Sequence, residues 1–196
     1  LDMINHIRRV TGKPVGFKAV LGGYFWLDEL MATINERGPK LAPDFITVDG
    51  AEGGTGAAPL EFTDHIGTPL NDALIFIHNC LVGISLRSKI KIISSGKIIS
   101  GFDMASKIAL GADMCNSARG MLFALGCVQS RRCHTNKCPT GVATQNPLLY
   151  YGLNVANKAP KVANFHNATI ASFQAVLGAV GVEHPEQLTP RHIHKR

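Results

Sequence analysis

The sequence predicts an α/β fold built on parallel strands, arranged as a (βα) barrel rather than as a doubly wound sheet. Three observations predict it. Short apolar runs bounded by turn residues alternate with longer stretches of helical spacing. The residues that follow each run are Gly-rich and polar, as expected where barrel strands deliver their loops. No G-x-G-x-x-G turn follows any of the runs, and a dinucleotide-binding sheet would need one.

The first run is Val15-Gly16-Phe17-Lys18-Ala19-Val20-Leu21, set between Gly12-Lys13-Pro14 and Gly22-Gly23. Phe25, Leu27, Leu30, Met31 and Ile34 then recur at helical spacing. Phe45-Ile46-Thr47-Val48 is the second run, opened by Pro43-Asp44 and closed by Asp49-Gly50. Leu70, Leu74, Ile77, Leu81 and Ile84 mark a second helix. Ile90-Lys91-Ile92-Ile93-Ser94-Ser95 is the third run, and a helix over 104–110 follows it. Asp113 to Ser117 form a weaker fourth run, and residues 160–180 hold a last helix marked by Val162, Phe165, Ile170, Phe173, Val176 and Leu177. Strand, helix, strand, helix implies right-handed crossovers and a parallel sheet.

Composition narrows the classes of function. Of 196 residues, 45% are hydrophobic and only 17% charged, which excludes a disordered chain and provides enough apolar side chains for a core. No apolar run is long enough to span a bilayer, and LDMINHIRRV does not read as a secretory signal. The expected location is therefore the cytoplasm. The net charge of +6 suits anionic ligands. The few aromatic residues do not interleave with basic clusters, so a nucleic-acid stacking surface is not expected.

Candidate chemistry gathers after the strands. Asp49-Gly50-Ala51-Glu52-Gly53-Gly54-Thr55-Gly56 places four glycines and two carboxylates after the second run; glycine lets backbone approach a ligand closely. Ser95-Gly96-Lys97 follows the third run, and Ser117-Ala118-Arg119-Gly120 the fourth. Small residues before a helix expose N–H groups that suit an anion, and barrel phosphate sites sit on the loops of the last two strands. Lys18 lies inside the first run, where a lysine is costly unless it is paired or faces a polar cavity. Cys127, Cys133 and Cys138 lie within twelve residues, with His134 beside them and Pro139 after the last. Their spacing suits an iron–sulfur cluster; zinc and unligated thiols remain open on spacing alone. Cys80 and Cys115 fall in a helix and a strand and read as core residues.

These motifs together resemble the flavin-binding synthase domain of glutamate synthase, in its shorter form without a fused glutaminase. The residues that carry the resemblance are Gly16-Phe17-Lys18, Asp49 to Pro59, Ser95-Gly96-Lys97, and Cys127 with the run Cys133-His134-Thr135-Asn136-Lys137-Cys138-Pro139-Thr140-Gly141-Val142-Ala143-Thr144-Gln145. The resemblance implies an eight-stranded barrel that holds FMN beside a 3Fe–4S cluster. The implied reaction joins 2-oxoglutarate and ammonia into 2-iminoglutarate, which reduced FMN converts to L-glutamate. Electrons would arrive through the cluster from ferredoxin or an NAD(P)H-oxidising subunit, and ammonia from solution or from glutamine. Carried over by position, Cys127, Cys133 and Cys138 bind the cluster. Lys18 lies near flavin and substrate as the catalytic residue, Ser95, Gly96, Lys97, Ser117, Arg119 and Gly120 hold the FMN phosphate, and Gly50, Gly53 and Gly54 line the cavity.

Four strands are half of such a barrel. Residues 1–126 accordingly read as its carboxyl-terminal half, the last four strand–helix units, with the amino-terminal half as the missing partner. Residues 127–196 read as the cysteine loop and a helical carboxyl-terminal extension of the same domain. One departure bears on substrate preference: large-type members often carry Ser-Gly-His-Asp where this chain has Asp49-Gly50-Ala51-Glu52. Two other functions compete with glutamate synthesis, an N-methylglutamate synthase-like transferase subunit and a non-catalytic barrel fragment.

Overall fold

A computed structural model describes residues 1–53, 61–62 and 65–193. Helix α1 (Asp2–Thr11) precedes strand β1 (Phe17–Val20), helix α2 (Phe25–Arg37) and strand β2 (Phe45–Asp49). Helix α3 (Leu70–Gly83), strand β3 (Lys91–Ser95), helix α4 (Gly101–Ala109) and strand β4 (Met114–Asn116) continue the alternation. Helices α5 (Arg119–Leu125), α6 (Pro147–Tyr150) and α7 (Val155–Ala179) follow, α5 being separated from α6 by the cysteine loop, and two short turns at Pro185–Gln187 and Pro190–His192 come after α7.

The four strands are parallel and lie in the order β1-β2-β3-β4. Each crossover therefore advances one place in the same direction, which builds an arc of barrel wall; a doubly wound sheet would reverse. Register sets Val20, Asp49, Ser95 and Asn116 side by side at the carboxyl ends, with Lys18, Thr47, Ile93 and Met114 two residues behind them.

Alternation along the strands divides the sheet into two unlike faces. Ile46, Val48 and Ile92 are fully buried in one core with Leu27 and Ile34 of α2 and Leu70, Leu74, Ile77 and Leu81 of α3. Burial of each such side chain contributes at most about 1.5–3 kcal/mol. The opposite face leaves Val20 45% and Met114 47% exposed, and Lys18 and Asn116 share that exposure. In a barrel this is the interior face, so the partial-barrel expectation holds in strand order and in the placement of polar and apolar side chains.

A second cluster joins Ala105 and Ala109 of α4 to Phe173 and Leu177 of α7, with Leu188. Gly101 makes it possible: a Cβ there would run into the backbone of Ser172 and Phe173. The carboxyl-terminal helix thus packs directly on the last strand–helix units.

Several elements differ from expectation, among them α4, which starts at Gly101, and β1, which is confined to Phe17–Val20. The last helix starts at Val155, because the Asn154 side chain accepts the Asn157 N–H and caps it; Pro160 lies inside the helix and does not start it. Helices α1 and α5 are not anticipated, although Met3, Ile4, Ile7 and Val10 recur at helical spacing along α1. Strand β2 extends to Asp49, so this carboxylate belongs to the sheet and not to a solvated turn.

Candidate functional site at the carboxyl ends of the strands

Each end of the sheet gathers carboxylates, but only the carboxyl end places one in the sheet itself. Asp49, the last residue of β2, has a side chain only 7% exposed and accepts from Lys18 Nζ at 2.7 Å. Its Oδ1 is buried without a hydrogen-bond partner among the described residues. Lys18 stands on the open face of β1 with 58% of its side chain exposed. The lysine predicted to be costly in a strand is therefore both paired and open to solvent.

The loop after β2 folds back on the strand. Gly50 N–H donates to Ser95 O at 2.9 Å, which extends the pairing of β2 and β3 by one residue. Gly53 N–H donates to Gly50 O at 2.8 Å. Both carboxylate oxygens of Glu52 accept from the Leu70 N–H, at 3.0 and 3.1 Å. A negative charge is favoured there, at the amino end of α3. The glycines serve this local packing: a Cβ on Gly50 would meet the Glu52 carboxylate and Leu70, and one on Gly53 would meet the Asp49 carboxylate. Gly54, with residues 55–60, lies outside the described residues.

Ser95 ends β3, and Gly96 (φ 144°) and Lys97 (φ 47°) turn the chain toward α4. The amino end of α4 is already satisfied by a capping box in which Ser100 and Asp103 bond each other's backbone N–H. Burial raises the Asp103 carboxyl, but the Ser100 and Ile99 hydrogen bonds outweigh it and hold the group below its ordinary range. After β4, Ser117 Oγ donates to Ile98 O at 2.7 Å and ties the two last loops together. Arg119 and Gly120 open α5, and Gly120 is small because a Cβ would press on the Phe165 ring of α7, 3.0 Å away. Lys18, Gly50, Gly53, Ser95, Gly96 and Lys97 thus converge at one end of β1–β3. Ser117, Arg119 and Gly120 adjoin them across the last loop.

The cysteine loop is organised around Asn136. Its backbone is left-handed (φ 61°), and its side-chain oxygen accepts from Gln145 N–H at 2.6 Å and Thr144 Oγ1 at 3.0 Å. Cys127 follows the α5 cap, Cys133 opens a single turn at Cys133–Thr135, and Cys138 is buried. Burial pushes the Cys138 thiol up, but hydrogen bonds from Thr140 and the backbone of Ala143, Thr140 and Val142 bring it down to about 7. Three thiols with one so acidified are suitable donors for a soft metal. Among the described residues, no three His, Cys, Asp or Glu side chains converge on one point, so the donor chemistry is present without an assembled cage. Cys80 and Cys115 both pack against the main core, as expected, and burial raises both thiols.

The sequence reading missed the Lys18–Asp49 pair, although the alternation that puts Thr47 and Asp49 on one face was visible. It also missed Asn136 as the loop's organiser, for which a turn-prone residue between two cysteines was the available signal.

Strand order and site position define a partial (βα) barrel whose candidate site lies at the carboxyl ends of its strands. Solved structures of flavocytochrome b2 variants share this fold. One with benzoylformate gives a TM-score of 0.61 at 16% identity, covering 97% of this chain and 37% of that chain. One with sulfite gives 0.59 at 17% identity, with the same coverage. The chain belongs to the glutamate synthase family: the family model for the conserved region in glutamate synthase matches residues 1–183. It is 41% identical over 193 residues to the glutamate synthase large subunit-like protein YerD of Bacillus subtilis, covering 98% of this chain and 36% of that protein. It is 40% identical over 145 residues to the archaeal glutamate synthase [NADPH] of Methanocaldococcus jannaschii, covering 74% and 28%. The chain thus spans about a third of the length of the curated relatives it matches. Among the described residues, no helix is long and apolar enough to cross a membrane.

Proposed function

We propose that this chain supplies the carboxyl-terminal half of a glutamate synthase-type active site, which reductively aminates 2-oxoglutarate to L-glutamate. The observation that carries this reading is the Lys18–Asp49 pair at the carboxyl end of the sheet, in a chain that matches the conserved region of glutamate synthase. A cationic group on an interior face, with Gly-rich loops beside it, suits an anionic flavin and a dicarboxylate substrate. Bound FMN would supply hydride chemistry, so the protein's part is placement and electrostatics.

Lys18 orients the substrate carboxylate or the flavin edge and needs no proton transfer for that role. Ser95, Gly96 and Lys97, with Ser117, Arg119 and Gly120, hold the FMN phosphate. Gly50 and Gly53 keep the loop after β2 closely packed beside it, and Gly54 belongs to the same motif. Cys127, Cys133 and Cys138 ligate a 3Fe–4S cluster, supported by their spacing and by the acidified Cys138 thiol. Ammonia, free or derived from glutamine, and an electron donor of the ferredoxin or NAD(P)H-oxidising type complete the reaction. Residues 1–126 and 127–196 act as one unit, because α7 packs on α4.

The test is an anaerobic preparation of the protein at its natural length, assayed for flavin, iron and acid-labile sulfide. Glutamate formed from 2-oxoglutarate, ammonium and a reductant supports the reading. Methylamine exchange on glutamate in its place assigns the transferase function. Colourless protein after reconstitution with flavin, iron and sulfide assigns a non-catalytic element. Cys133→Ala is expected to abolish the broad visible absorption of the cluster and lower iron content; full retention of iron removes the cluster assignment.

A further inference from the structure

Asp49 is 5% exposed, yet only one of its two oxygens has a partner among the described residues, Lys18 Nζ at 2.7 Å. A buried carboxylate with an unpartnered oxygen is costly, and a neighbouring positive charge is what makes it tolerable. Lys18 has the opposite character, more than half exposed on the open face. The two are not direct neighbours in the sheet. Lys18 is in register with Thr47, so its side chain reaches two residues along the strand toward the carboxyl end to meet Asp49. Asp49 is held in place by its strand and by Gly53, whose α-carbon packs so closely that no Cβ fits against the carboxylate. The carboxylate is thus the fixed partner and the lysine the mobile one. One ammonium N–H is committed to Asp49, which leaves two for a ligand.

We propose that Asp49 is a positioning residue that acts through Lys18. It fixes the direction of the ammonium group and offsets its charge, so that an anionic ligand meets an oriented, charge-compensated donor in place of a free cation. The inference rests on reading this end of the sheet as the ligand site. Its consequences have opposite signs. Neutralising Asp49 leaves Lys18 uncompensated and strengthens its ground-state attraction for anions. The same change releases the lysine's direction and weakens the step that needs alignment.

The test uses flavin-loaded protein of natural length and a double-mutant cycle of Asp49→Asn and Lys18→Met. Asp49→Asn is expected to bind glutarate, an unreactive dicarboxylate, about threefold more tightly by calorimetry. Its kcat for glutamate formation is expected to fall about tenfold. In the Lys18→Met background the same substitution should change both quantities by less than about twofold. Asp49→Ser, which is smaller and equally neutral, should repeat the pattern. Unchanged glutarate affinity in Asp49→Asn, or equal changes with and without Lys18, overturns the proposal. Failure of both the Asn and Ser variants to fold also overturns it, by making Asp49 structural. A parent protein that makes no glutamate overturns the proposed reaction, whereas the glutarate cycle still decides the role of Asp49.

Discussion

The two ends of the β-sheet solve the same electrostatic problem differently. At the amino ends, Asp44 and Asp113 are surrounded by donors. Asp44 Oδ2 accepts from Arg8 Nε at 2.9 Å and Val15 N–H at 2.7 Å. Asp113 Oδ2 accepts from Arg87 Nη2 at 2.8 Å and Ile92 N–H at 2.7 Å, while its Oδ1 faces Lys91 Nζ at 3.4 Å. Arg87 also donates to Gly111 O and to His78 Nδ1. At the carboxyl ends, Asp49 has one lysine and an oxygen with no partner among the described residues. The contrast runs against burial: side-chain exposure is 39% for Asp44 and 21% for Asp113, but 7% for Asp49. Of these three carboxylates, the most buried has the fewest partners among the described residues. Satisfied networks at the amino ends of barrel strands hold the fold, and the under-satisfied group at the carboxyl ends lies where the ligand site is proposed.

That division can be broken by substitution at either end. The largest effect on stability is expected from Arg87→Ala, which strips Asp113, Gly111 and His78 of a shared donor. A loss of about 3 kcal/mol is expected, read as a lower denaturant midpoint. Flavin binding by the variant, measured where it is folded, should stay within about twofold, since the proposed site lies at the other end of the strands. Lys18→Met is the reciprocal experiment. It strands the Asp49 carboxylate, but solvent around the half-exposed lysine limits the loss to about 1–2 kcal/mol. Glutamate formation should fall far more than stability, and equal loss of both would make Lys18 structural.

A smaller change tests the loop that leaves the carboxyl end of β3. Ser100→Ala removes half of the α4 capping box, and about 1 kcal/mol should be lost in thermal unfolding. The smallest effect is pH-dependent and belongs to the amino end. Burial, and then the Arg87 guanidinium, hold His78 below its ordinary value of 6.5. As pH falls through 6.5, the unfolded chain takes up a proton before the folded one does. Stability should therefore be level above that point and decline below it until the folded His78 also protonates. His78→Gln should flatten this part of the profile, as measured by unfolding at a series of pH values.

Much of this architecture was legible in the residues. The alternation of Phe45–Val48, Leu70–Ile84 and Ile90–Ser95 names strands and helices because apolar periodicity is a local property of the chain. The spacing of Cys127, Cys133 and Cys138, and the glycines after β2, are local in the same sense. Helix α7 starts earlier than the apolar spacing from Val162 onward shows, because its first turn is set by the Asn154 cap and not by buried apolar side chains. What the sequence left undecided was partnership. Periodicity tells which face a side chain takes, but not which residue it meets across a strand or along it. The parallel register brings Lys18 to 2.7 Å from Asp49, the fold of the loop after β2 sets Glu52 on the first N–H of α3, and helix packing uses Gly101 to admit α7. Those contacts join residues far apart in the chain, and their distances are set by how strands and helices stack. The sequence by itself determined the strands, the helices between them and their faces; the tertiary structure decided which charges are paired, which are buried, and which oxygen is left without a partner among the described residues.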